Sequence, residues 1–534
     1  MASEFDTDVL VLGGGPAGTW AALTAASSGA RVVLADKGFC GSSGATAAAG
    51  TGVWYPPDPI RRQAAMDSRD TLGGHLADPH WMARVLDRTW HGINELAEWG
   101  YPFPLDQDGA PRRNSLQGPE YMRLMRRRVK AAGVRILDQA PALELLVDEQ
   151  GAVVGAAGVY RQKDATWTGR AEAVVIATGG CAFLSNGLGC NVLTGDGYLM
   201  AAEAGAEFSG MEFSNAYAIS PAFASVTKTL FYNRATFTAP SGAEIPGASS
   251  KGGRSVIARW LLRGPVYAQL DKADGATQAA MRAAQPNFFL PFDRAGIDPF
   301  TQRFAVTLRL EGTVRGTGGL RIIDETCATS VPGLYAAGDA ATRELICGGF
   351  TGGGSHNAAW AMSSGHWAGR GAAHHVQALG PVTRRQARRS GGVALAEGGN
   401  FPLDSQALVH VVQSQVFPFE TNYLRTGDGL ETALSVLDDH WAQARRASPA
   451  SRSQASKARE SAAMLATARW MYRSALARSE TRGMHRRLDY TSSDCDTPLP
   501  AEDWTRCGCG PCQKSSALNT SLPHDRTRQH RALH

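Results

Sequence analysis

The first residues of the chain alternate between apolar runs, a glycine-rich turn and an alanine-rich segment. Residues 8–12 (DVLVL) form a short apolar run that predicts a buried strand, and residues 31–35 (RVVLA) predict a second strand. Between them, the turn GGGPAG precedes residues 19–28, whose pattern predicts a helix. The order predicts a strand–turn–helix–strand unit that ends at Asp36.

The turn and the acid at the end of this unit indicate a dinucleotide site. Gly13 permits a tight turn, Gly15 lets the backbone approach a pyrophosphate, and Gly18 permits close helix–strand packing. The helix then presents free N–H groups to the phosphates. Asp36 stands where a carboxylate can accept hydrogen bonds from both ribose hydroxyls. The loop residues that we expect at the cofactor are Gly13, Gly15, Pro16, Ala17 and Gly18.

Three later motifs favour FAD over a nicotinamide dinucleotide. Residues 174–180 (VVIATGG) predict a buried strand that enters a Thr–Gly turn, and residues 194–197 (TGDG) open a helix. Residues 333–339 (GLYAAGD) predict a strand whose final carboxylate can meet a ribityl chain. The cofactor contacts that these motifs predict are Ala177, Thr178, Gly179, Asp196, Gly338 and Asp339.

Composition predicts the number of domains and excludes some functions. A chain of 534 residues is too long for one core, so we expect two to four domains. The net charge of +5 is mild, and the arginine run at residues 123–128 has the pattern of a solvated helix face, so no nucleic-acid partner is expected. No stretch approaches the roughly 20 apolar residues of a membrane span. The scattered cysteines and the lack of a targeting segment favour the cytoplasm.

Several further segments resemble one family in the same order. They are residues 67–74 (DSRDTLGG), 95–103 (ELAEWGYPF), 211–213 (MEF), 423–428 (YLRTGD) and 479–485 (SETRGMH). From about Phe5 to about Asp494, the chain resembles the flavoprotein subunit family of succinate dehydrogenase and fumarate reductase, which includes L-aspartate oxidase and the adenylylsulfate reductase alpha subunit. In that family, the segment similar to residues 211–213 is a strand that enters a capping domain.

The resemblance implies an α/β architecture. A discontinuous, Rossmann-like FAD-binding domain is expected at residues 1–210 and 316–395, with an α+β capping domain inserted at residues 211–315. A C-terminal helical domain is expected at residues 405–485, followed by a cysteine-containing tail at residues 486–534.

The resemblance also implies hydride transfer between a substrate carbon and flavin N5, while an arginine of the capping domain handles the proton. Residues 252–259 (GGRSVIAR) resemble the segment that carries this arginine, and Arg254 is the match. Two roles are open for Arg254. It is either a proton shuttle or a clamp that only pairs with a substrate carboxylate.

Three dicarboxylate-binding positions of the family differ in this chain. The histidine that follows MEF is absent from residues 214–219 (SNAYAI). The histidine before the glycine pair at 318–319 is also absent, and Arg315 is its candidate replacement as a cation. Phe350 stands where the family has an arginine. These losses argue against succinate or fumarate as the substrate.

The segment after Phe350 is expected at the flavin. Residues 352–355 (GGGS), with Gly353 and Ser355, can place a helix N-terminus at the flavin N1/O2 edge. His356 beside it is either an acid/base residue or only a hydrogen-bond partner of the flavin. Gly44 stands where membrane-bound members carry the histidine that binds flavin covalently, so non-covalent FAD is expected. The cofactor contacts expected in that region are Lys37, Ser42, Ser43 and Gly44.

The cysteines suggest one further candidate site. Cys495, Cys507, Cys509 and Cys512 could hold zinc or an iron–sulfur cluster, although their spacing matches neither common ferredoxin pattern nor a paired zinc site. The alternative is an unliganded tail. Cys347 is expected to be a buried, inert thiol rather than a reactive one.

The sequence therefore predicts an FAD-dependent oxidoreductase that moves a hydride between flavin N5 and a small organic acid or related polar substrate, but not succinate or fumarate. Two alternatives stay open. One is aspartate-oxidase-like oxidation of a C–N bond. The other is an adenylylsulfate-reductase-like electron-transfer subunit that works with an iron–sulfur partner protein.

Overall fold

A mixed eight-stranded sheet forms the centre of the fold. The structure is a computed structural model, and it describes residues 2–105, 108–227, 230–351, 355–380, 385–395, 401–449 and 451–490. The strands are β1 (Ala2–Leu12), β2 (Val32–Ala35), β3 (Gly50–Gly52), β4 (Ser115–Gln117), β5 (Arg135–Leu137), β6 (Ala142–Val147), β7 (Val153–Tyr160), β8 (Ala165–Ile176), β9 (Phe208–Ser209), β10 (Ala216–Pro221), β11 (Thr236–Thr238), β12 (Val266–Gln269), β13 (Phe304–Glu311), β14 (Gly319–Leu320), β15 (Leu334–Ala336), β16 (Arg388–Arg389), β17 (Phe401–Pro402) and β18 (Ala447–Ser448). The helices are α1 (Pro16–Ser27), α2 (Pro59–Leu72), α3 (Pro79–Glu98), α4 (Gly118–Ala131), α5 (Asp196–Glu203), α6 (Arg254–Leu261), α7 (Gly275–Ala284), α8 (Pro286–Ala295), α9 (Gly312–Arg315), α10 (Glu344–Cys347), α11 (Ser355–Leu379), α12 (Ser405–Val416), α13 (Phe419–Asn422), α14 (Gly427–Ala444) and α15 (Ala455–Ala477).

The central sheet has the order β16–β6–β7–β8–β1–β2–β5, with β15 also paired to β8. The strands β5, β2, β1, β8 and β15 pair in parallel, whereas β7, β6 and β16 continue the sheet with antiparallel pairing. A parallel sheet is covered on both faces, which explains the uninterrupted apolar run at the end of β1. The predicted α/β class is confirmed.

The predicted strand–turn–helix–strand unit is present, and its helix begins earlier than expected. α1 starts at Pro16 instead of residue 19, because proline is well suited to the first turn of a helix, where its missing N–H is not needed. α1 packs against α11 through small residues. A Cβ on Gly365 would overlap the backbone oxygen of Ala17, and one on Gly369 would overlap that of Ala21. These glycines allow the two helices to lie close together.

A second, antiparallel sheet has the order β10–β13–β12–β11. Its aromatic core includes Phe288 and Phe292 of α8, which contact each other, and Phe304 of β13, which contacts Phe292. This sheet and α6 to α8 lie in the stretch for which an inserted capping domain is expected, and the domain boundaries remain a proposal.

The segment at residues 211–213 differs from the expectation. It was expected to be a strand, and it is instead a 3-10 turn that follows Gly210. Gly210 adopts the left-handed φ of +66°, and the N–H of Phe213 donates to its carbonyl oxygen at 3.0 Å. These local bonds replace strand pairing, and the first strand of the second sheet begins only at Ala216.

Helices α12, α14 and α15 follow in the C-terminal part. α15 is buried on nearly all sides, and its Arg459 forms an ion pair with Glu203 of α5 at 2.6 Å. The pair is buried, so it ties the C-terminal helices to the helix that begins at Asp196. None of the helices in the described ranges is long and apolar enough to cross a membrane.

The packing of α1 on α11 predicts a pH dependence of stability. Burial, followed by the charges of Arg88 and Arg370, lowers the pKa of the His366 imidazole to about 4. The folded protein therefore favours neutral His366. The contribution of the neutral imidazole to the free energy of unfolding is fully present above pH 6.5 and is lost as the pH falls towards 4. The difference between the ordinary pKa of 6.5 and the pKa of about 4 corresponds to a loss of at most about 3 kcal/mol in the free energy of unfolding.

We expect His366→Gln to reduce the loss of Tm between pH 7.5 and pH 4.5, compared with the unmodified protein, in thermal unfolding followed by circular dichroism. His374→Gln is the control, since His374 is exposed on the same helix. An equal pH dependence of Tm in all three proteins would contradict the prediction.

Candidate functional site

The glycine loop packs directly against the end of β8. Gly13 adopts φ +108°, and a Cβ there would overlap the carbonyl oxygen of Ala177. A Cβ on Gly18 would overlap the carbonyl oxygen of Gly13. Both positions therefore accept only glycine without a backbone shift, and the loop places the N-terminus of α1 beside the carboxyl ends of the strands.

A cavity that is partly open to solvent lies at these strand ends, and we call it the first cavity. Leu12, Ala35, Thr178 and Gly338 line it, and they lie at or just after the carboxyl ends of β1, β2, β8 and β15. The carboxyl ends of parallel strands are where α/β sheets bind ligands. The sequence-predicted residues that the structure brings together in its wall are Gly13, Gly15, Pro16, Ala17, Asp36, Lys37, Ser43, Gly44, Thr178, Gly179, Asp196, Arg315, Gly338 and Asp339.

Other predicted residues do not line this cavity. Gly18 and Ala177 take part in the packing of the glycine loop instead. Ser42 lies in the same turn as Ser43, and Ser355 begins α11, but neither is in the wall. Gly353 lies outside the described residues, as do Cys495, Cys507, Cys509 and Cys512.

Asp36 is held by three hydrogen bonds at the end of β2. Its carboxylate accepts from the N–H of Gly14 at 2.5 Å, from the N–H of Gly38 at 2.7 Å and from Oγ of Ser43 at 2.9 Å. The bond to Gly14 connects the acid to the glycine loop. This arrangement fixes the carboxylate in the wall of the first cavity, as the ribose role requires.

Lys37 and Asp196 are predicted cofactor contacts, and in the structure they pair with each other. The Lys37 ammonium lies 2.6 Å from the Asp196 carboxylate and 3.2 Å from Glu460 of α15. Burial alone would lower the pKa of Lys37, but Asp196 and Glu460 raise it. The C-terminal helix therefore contributes a carboxylate to this end of the cavity, which the sequence analysis missed.

Asp339 lies beside two arginines. Its carboxylate forms an ion pair with the buried Arg343, four residues further on. Burial raises the pKa of the Asp339 carboxyl, and Arg343 and Arg315 oppose that rise. Arg343 also donates to the backbone oxygen of Thr313 at 2.8 Å, so it holds α9 against the segment after β15.

Arg315 lies where the first cavity meets a second one. The second cavity is smaller than the first and shares Ala45, Ala49, Val314 and Arg315 with it. Within the described ranges, the Arg315 guanidinium has no hydrogen-bond or ion-pair partner. In that part of the chain its charge interactions are long-range ones, such as that with Asp339, so its donors are available to bind an anionic group.

The second cavity is a feature that the sequence analysis missed. Its other lining residues come from four distant segments of the chain: Leu188, Cys190, Val226, Thr227, Gln285, Asn287, Phe288 and Glu311. Thr227 and Glu311 come together only because β10 pairs with β13. No local motif in the sequence signals this contact.

Arg254 and Phe350 lie close to each other but outside both cavity walls. The Arg254 guanidinium is 6.0 Å from the centre of the Phe350 ring. Its donors bind the backbone oxygens of Tyr217 at 2.9 Å and Ser250 at 3.2 Å. Burial lowers the pKa of the Arg254 guanidinium. Arg254, the predicted proton shuttle or clamp, and Phe350, which stands in the place of the family arginine, are therefore neighbours.

His356 also lies outside the walls of both cavities. It is buried against Trp54, with the ring centres 4.8 Å apart. The next residue, Asn357, lines the first cavity and donates to the backbone oxygen of Val314 at 2.8 Å. Ala361 also lines the cavity and lies four residues after Asn357, on the same face of the helix. This helical spacing is the signal that could have identified Asn357.

Cys347 is fully buried, and burial raises the pKa of its thiol, as expected for an inert cysteine. In the described part of the chain, no group of three or more His, Cys, Asp or Glu side chains is arranged to hold a metal ion. The tail cysteines lie outside that part, so their metal site stays a hypothesis.

Two family models match the chain. One, described as an FAD binding domain, matches residues 8–221, and the other, described as fumarate reductase flavoprotein C-term, matches residues 410–508. Together they span more than half of the chain. The chain belongs to the succinate dehydrogenase and fumarate reductase flavoprotein family. It is an FAD-dependent oxidoreductase, and the predicted family and cofactor are confirmed.

Curated relatives in this family include two proteins that match over almost their full length. An L-aspartate oxidase of Streptomyces coelicolor is 27% identical, over 92% of this chain and 90% of the relative. An L-aspartate oxidase of Caulobacter vibrioides is also 27% identical, over 91% and 94%. A fumarate reductase flavoprotein of Mycobacterium tuberculosis is 28% identical over a shorter stretch, 39% of this chain and 38% of the relative.

Solved structures share the fold at low identity. A mutated quinol fumarate reductase FrdA of E. coli has a TM-score of 0.76 and 20% identity, over 91% of this chain and 92% of that one. The adenylylsulfate reductase of Archaeoglobus fulgidus has a TM-score of 0.72 and 18% identity, over 94% and 93%. These likenesses show that the family fold extends over nearly the whole chain.

The residues of the first cavity fit FAD. The glycine loop at the N-terminus of α1 offers backbone N–H groups to a pyrophosphate, and the anchored Asp36 faces the same space. Asp339 lies at the end of β15, where the ribityl contact is expected. The individual contacts stay predictions.

We expect Asp36→Asn to raise the Kd for FAD by about 10- to 100-fold, because the amide loses two charge-assisted hydrogen bonds to the ribose. The measurement is a fluorescence titration of the flavin-free protein with FAD. Ser42→Ala is the matched control, since Ser42 is near Asp36 and outside the cavity wall. A Kd for Asp36→Asn within twofold of the Ser42→Ala value would show that the ribose role is wrong.

Proposed function

We propose that this flavoprotein transfers a hydride between flavin N5 and a carbon of a small organic acid or related polar substrate other than succinate or fumarate. The observation that carries the proposal is the Arg315 side chain, which lines both cavities and whose guanidinium makes no hydrogen bond or ion pair with the described residues. FAD, when bound, supplies N5 as the hydride acceptor or donor.

Arg315 is proposed to bind the substrate carboxylate. A guanidinium can bind both oxygens of a carboxylate, and burial of the pair strengthens the interaction. Because Arg315 also lines the first cavity, a carboxylate on it would hold the adjoining carbon close to the cofactor.

Succinate and fumarate fit this arrangement poorly. A second carboxylate would need a second cation, and Phe350 occupies the place of the family arginine. In the second cavity, the acid group in the wall is Glu311, which repels another carboxylate. The charges therefore favour a substrate with one carboxylate at Arg315 and a different group at its other end.

Arg254 is proposed to handle the proton of the reaction. Its lowered pKa makes proton release easier than for an exposed arginine. The contacts of Arg254 with Tyr217 and Ser250 hold its guanidinium beside Phe350, in the position that the family resemblance implies for the substrate. The clamp role stays open for the same residue.

Oxidation of a C–N bond is a second candidate function. It is favoured by the two L-aspartate oxidase relatives that match over at least 90% of their length. Rapid formation of hydrogen peroxide with an amine substrate would support this candidate. Reduction by substrate with slow reaction with oxygen would instead support transfer of electrons to a partner protein, such as an iron–sulfur protein.

The proposal is tested by an anaerobic titration of the purified holoenzyme with a panel of small carboxylic acids. The readout is the loss of the flavin absorbance near 450 nm, which is typical of oxidised flavin. At least one monocarboxylate should bleach the flavin, and succinate should not. Bleaching by succinate alone would overturn the proposal.

Arg315→Gln should raise the acid concentration for half-maximal bleaching by about 10- to 100-fold, because it removes a charge-assisted bidentate contact. Bound FAD should remain unchanged. Arg294→Gln removes the same charge from an exposed position on α8 and serves as the control. Equal half-maximal concentrations for the two variants would contradict the role of Arg315.

A further inference from the structure

A buried arginine connects the walls of the two cavities. Arg343 is 1% exposed and lies between the turn that carries Asp339 and the short helix α9. Its Nη1 forms the ion pair with Asp339, and its Nη2 donates to the backbone oxygens of Thr313 at 2.8 Å, of Val314 at 3.2 Å and of Gly316. One guanidinium therefore joins a carboxylate of the first cavity to three carbonyl groups on the opposite side.

These carbonyl groups belong to a helix end that needs outside donors. The last carbonyl groups of a helix have no partner within it, and α9 has only 4 residues. An arginine can supply donors to such a helix end. The backbone N–H of Arg343 adds a further bond to the oxygen of Thr317 at 2.7 Å. Arg343 therefore fixes the C-terminal end of α9 through both its side chain and its backbone.

The fixed end of α9 belongs to both cavities. Val314 and Arg315 line the first cavity and also the second. Asp339, at the other end of the guanidinium, lines the first cavity, and its side chain is 19% exposed. Because Arg343 itself is buried, water reaches this ion pair mainly at the carboxylate, which lies in the wall of the cofactor cavity.

Filling the first cavity should strengthen this ion pair. Water beside the Asp339 carboxylate competes with Arg343 and screens their attraction. A dinucleotide in the cavity excludes that water, and hydroxyl groups of the cofactor can replace its hydrogen bonds to the carboxylate. Since a guanidinium is planar and rigid, a firmer pair with Asp339 also fixes the donors that bind α9.

We propose that Arg343 is a positioning residue that couples FAD binding to the position of Arg315. With FAD in the first cavity, the pair of Asp339 and Arg343 orders the end of α9 and holds Arg315 at the junction with the second cavity. The coupling between FAD and α9 does not depend on the substrate. Only its consequence for substrate binding rests on the proposed function, in which Arg315 binds a carboxylate.

Arg459 offers a matched comparison, because it makes contacts of the same kind away from both cavities. It is 2% exposed, forms an ion pair with Glu203 at 2.6 Å and donates to the backbone oxygen of Val393 at 2.7 Å. None of these three residues lines either cavity. If Arg343 only stabilised the fold, the same substitution at positions 343 and 459 would have the same effects.

Hydrogen–deuterium exchange of backbone amides, followed by mass spectrometry, tests the coupling in the full chain. The measured peptide covers residues 312–317, in which the N–H of Gly316 donates to Gly312 at 2.8 Å and that of Thr317 donates to Phe213 at 3.1 Å. Saturating FAD should slow exchange in this peptide of the unmodified protein by at least about fivefold, because ordering of α9 protects these amides. The flavin absorbance gives the FAD occupancy of every sample.

Arg343→Lys should reduce this slowing to less than about twofold at full FAD occupancy. The lysine keeps a positive charge for Asp339, but a single ammonium group cannot hold the carboxylate and the carbonyl groups of α9 together. Arg459→Lys is the control. It should lower the Tm of the flavin-free protein, as Arg343→Lys does, and leave the effect of FAD on residues 312–317 unchanged.

The anaerobic titration measures the consequence for substrate binding. Arg343→Lys should raise the acid concentration for half-maximal bleaching and leave the limiting rate of bleaching unchanged, because it acts on the position of Arg315. Arg343→Lys combined with Arg315→Gln should bind the acid no more weakly than Arg315→Gln alone, since both changes remove the same contact.

The inference would be overturned if FAD did not slow exchange at residues 312–317 of the unmodified protein, or if it slowed exchange equally in Arg343→Lys. Equal loss of the slowing in Arg459→Lys would also overturn it. Additive effects of Arg343→Lys and Arg315→Gln on acid binding would contradict the link to Arg315. Failure of the proposed function gives a different result, because no acid would then bleach the flavin, whereas the exchange experiment would still show the coupling.

Discussion

The contact between the glycine loop and the end of β8 determines how closely α1 can approach the sheet. Gly13 turns with φ +108° beneath the carbonyl of Ala177, and Gly18 lies against the carbonyl of Gly13. A side chain at either position would push the helix away from the strand ends. Because α11 packs on α1 at Gly365, that shift would reach the helix that brings Asn357 to the cavity. The cofactor site and the helix packing therefore depend on the same close approach.

The charges around the two cavities follow a consistent arrangement. Lys37 lies between Asp196 and Glu460, and Asp339 pairs with Arg343, so these charged groups along the first cavity are compensated by opposite charges of the protein. Glu311 and Arg315 line the second cavity and form no ion pair with the described residues. The buried Arg254 interacts electrostatically with Glu311, and Arg315 does so with Asp339. The charges of the two cavities are therefore coupled through the wall that they share.

Local patterns in the sequence predict much of the cofactor site. The glycine spacing, the apolar strand and Asp36 belong to one short stretch, and their geometry follows from backbone sterics. The sequence does not separate Ser42 from Ser43, because neither a helical nor a strand period indicates which side chain in this turn faces the cavity. It also cannot show the contact between Thr227 and Glu311, which depends on the pairing of β10 with β13. Contacts of this kind depend on the pairing of strands that are distant in the sequence, and local periodicity does not show that pairing.

The two cavities are built from different kinds of group. The contacts that the cofactor needs come mainly from backbone groups at strand ends and from the glycine loop, where side-chain changes are restricted by close packing. Glu311, Thr227 and Arg315 instead come from the segment between β10 and β14, outside the glycine loop. The glycine loop and the second cavity are therefore built from different parts of the chain, and the two cavities meet at the shared wall of Val314 and Arg315. A substitution at Arg315 would change the charge of both cavities, whereas one at Thr227 would touch only the second.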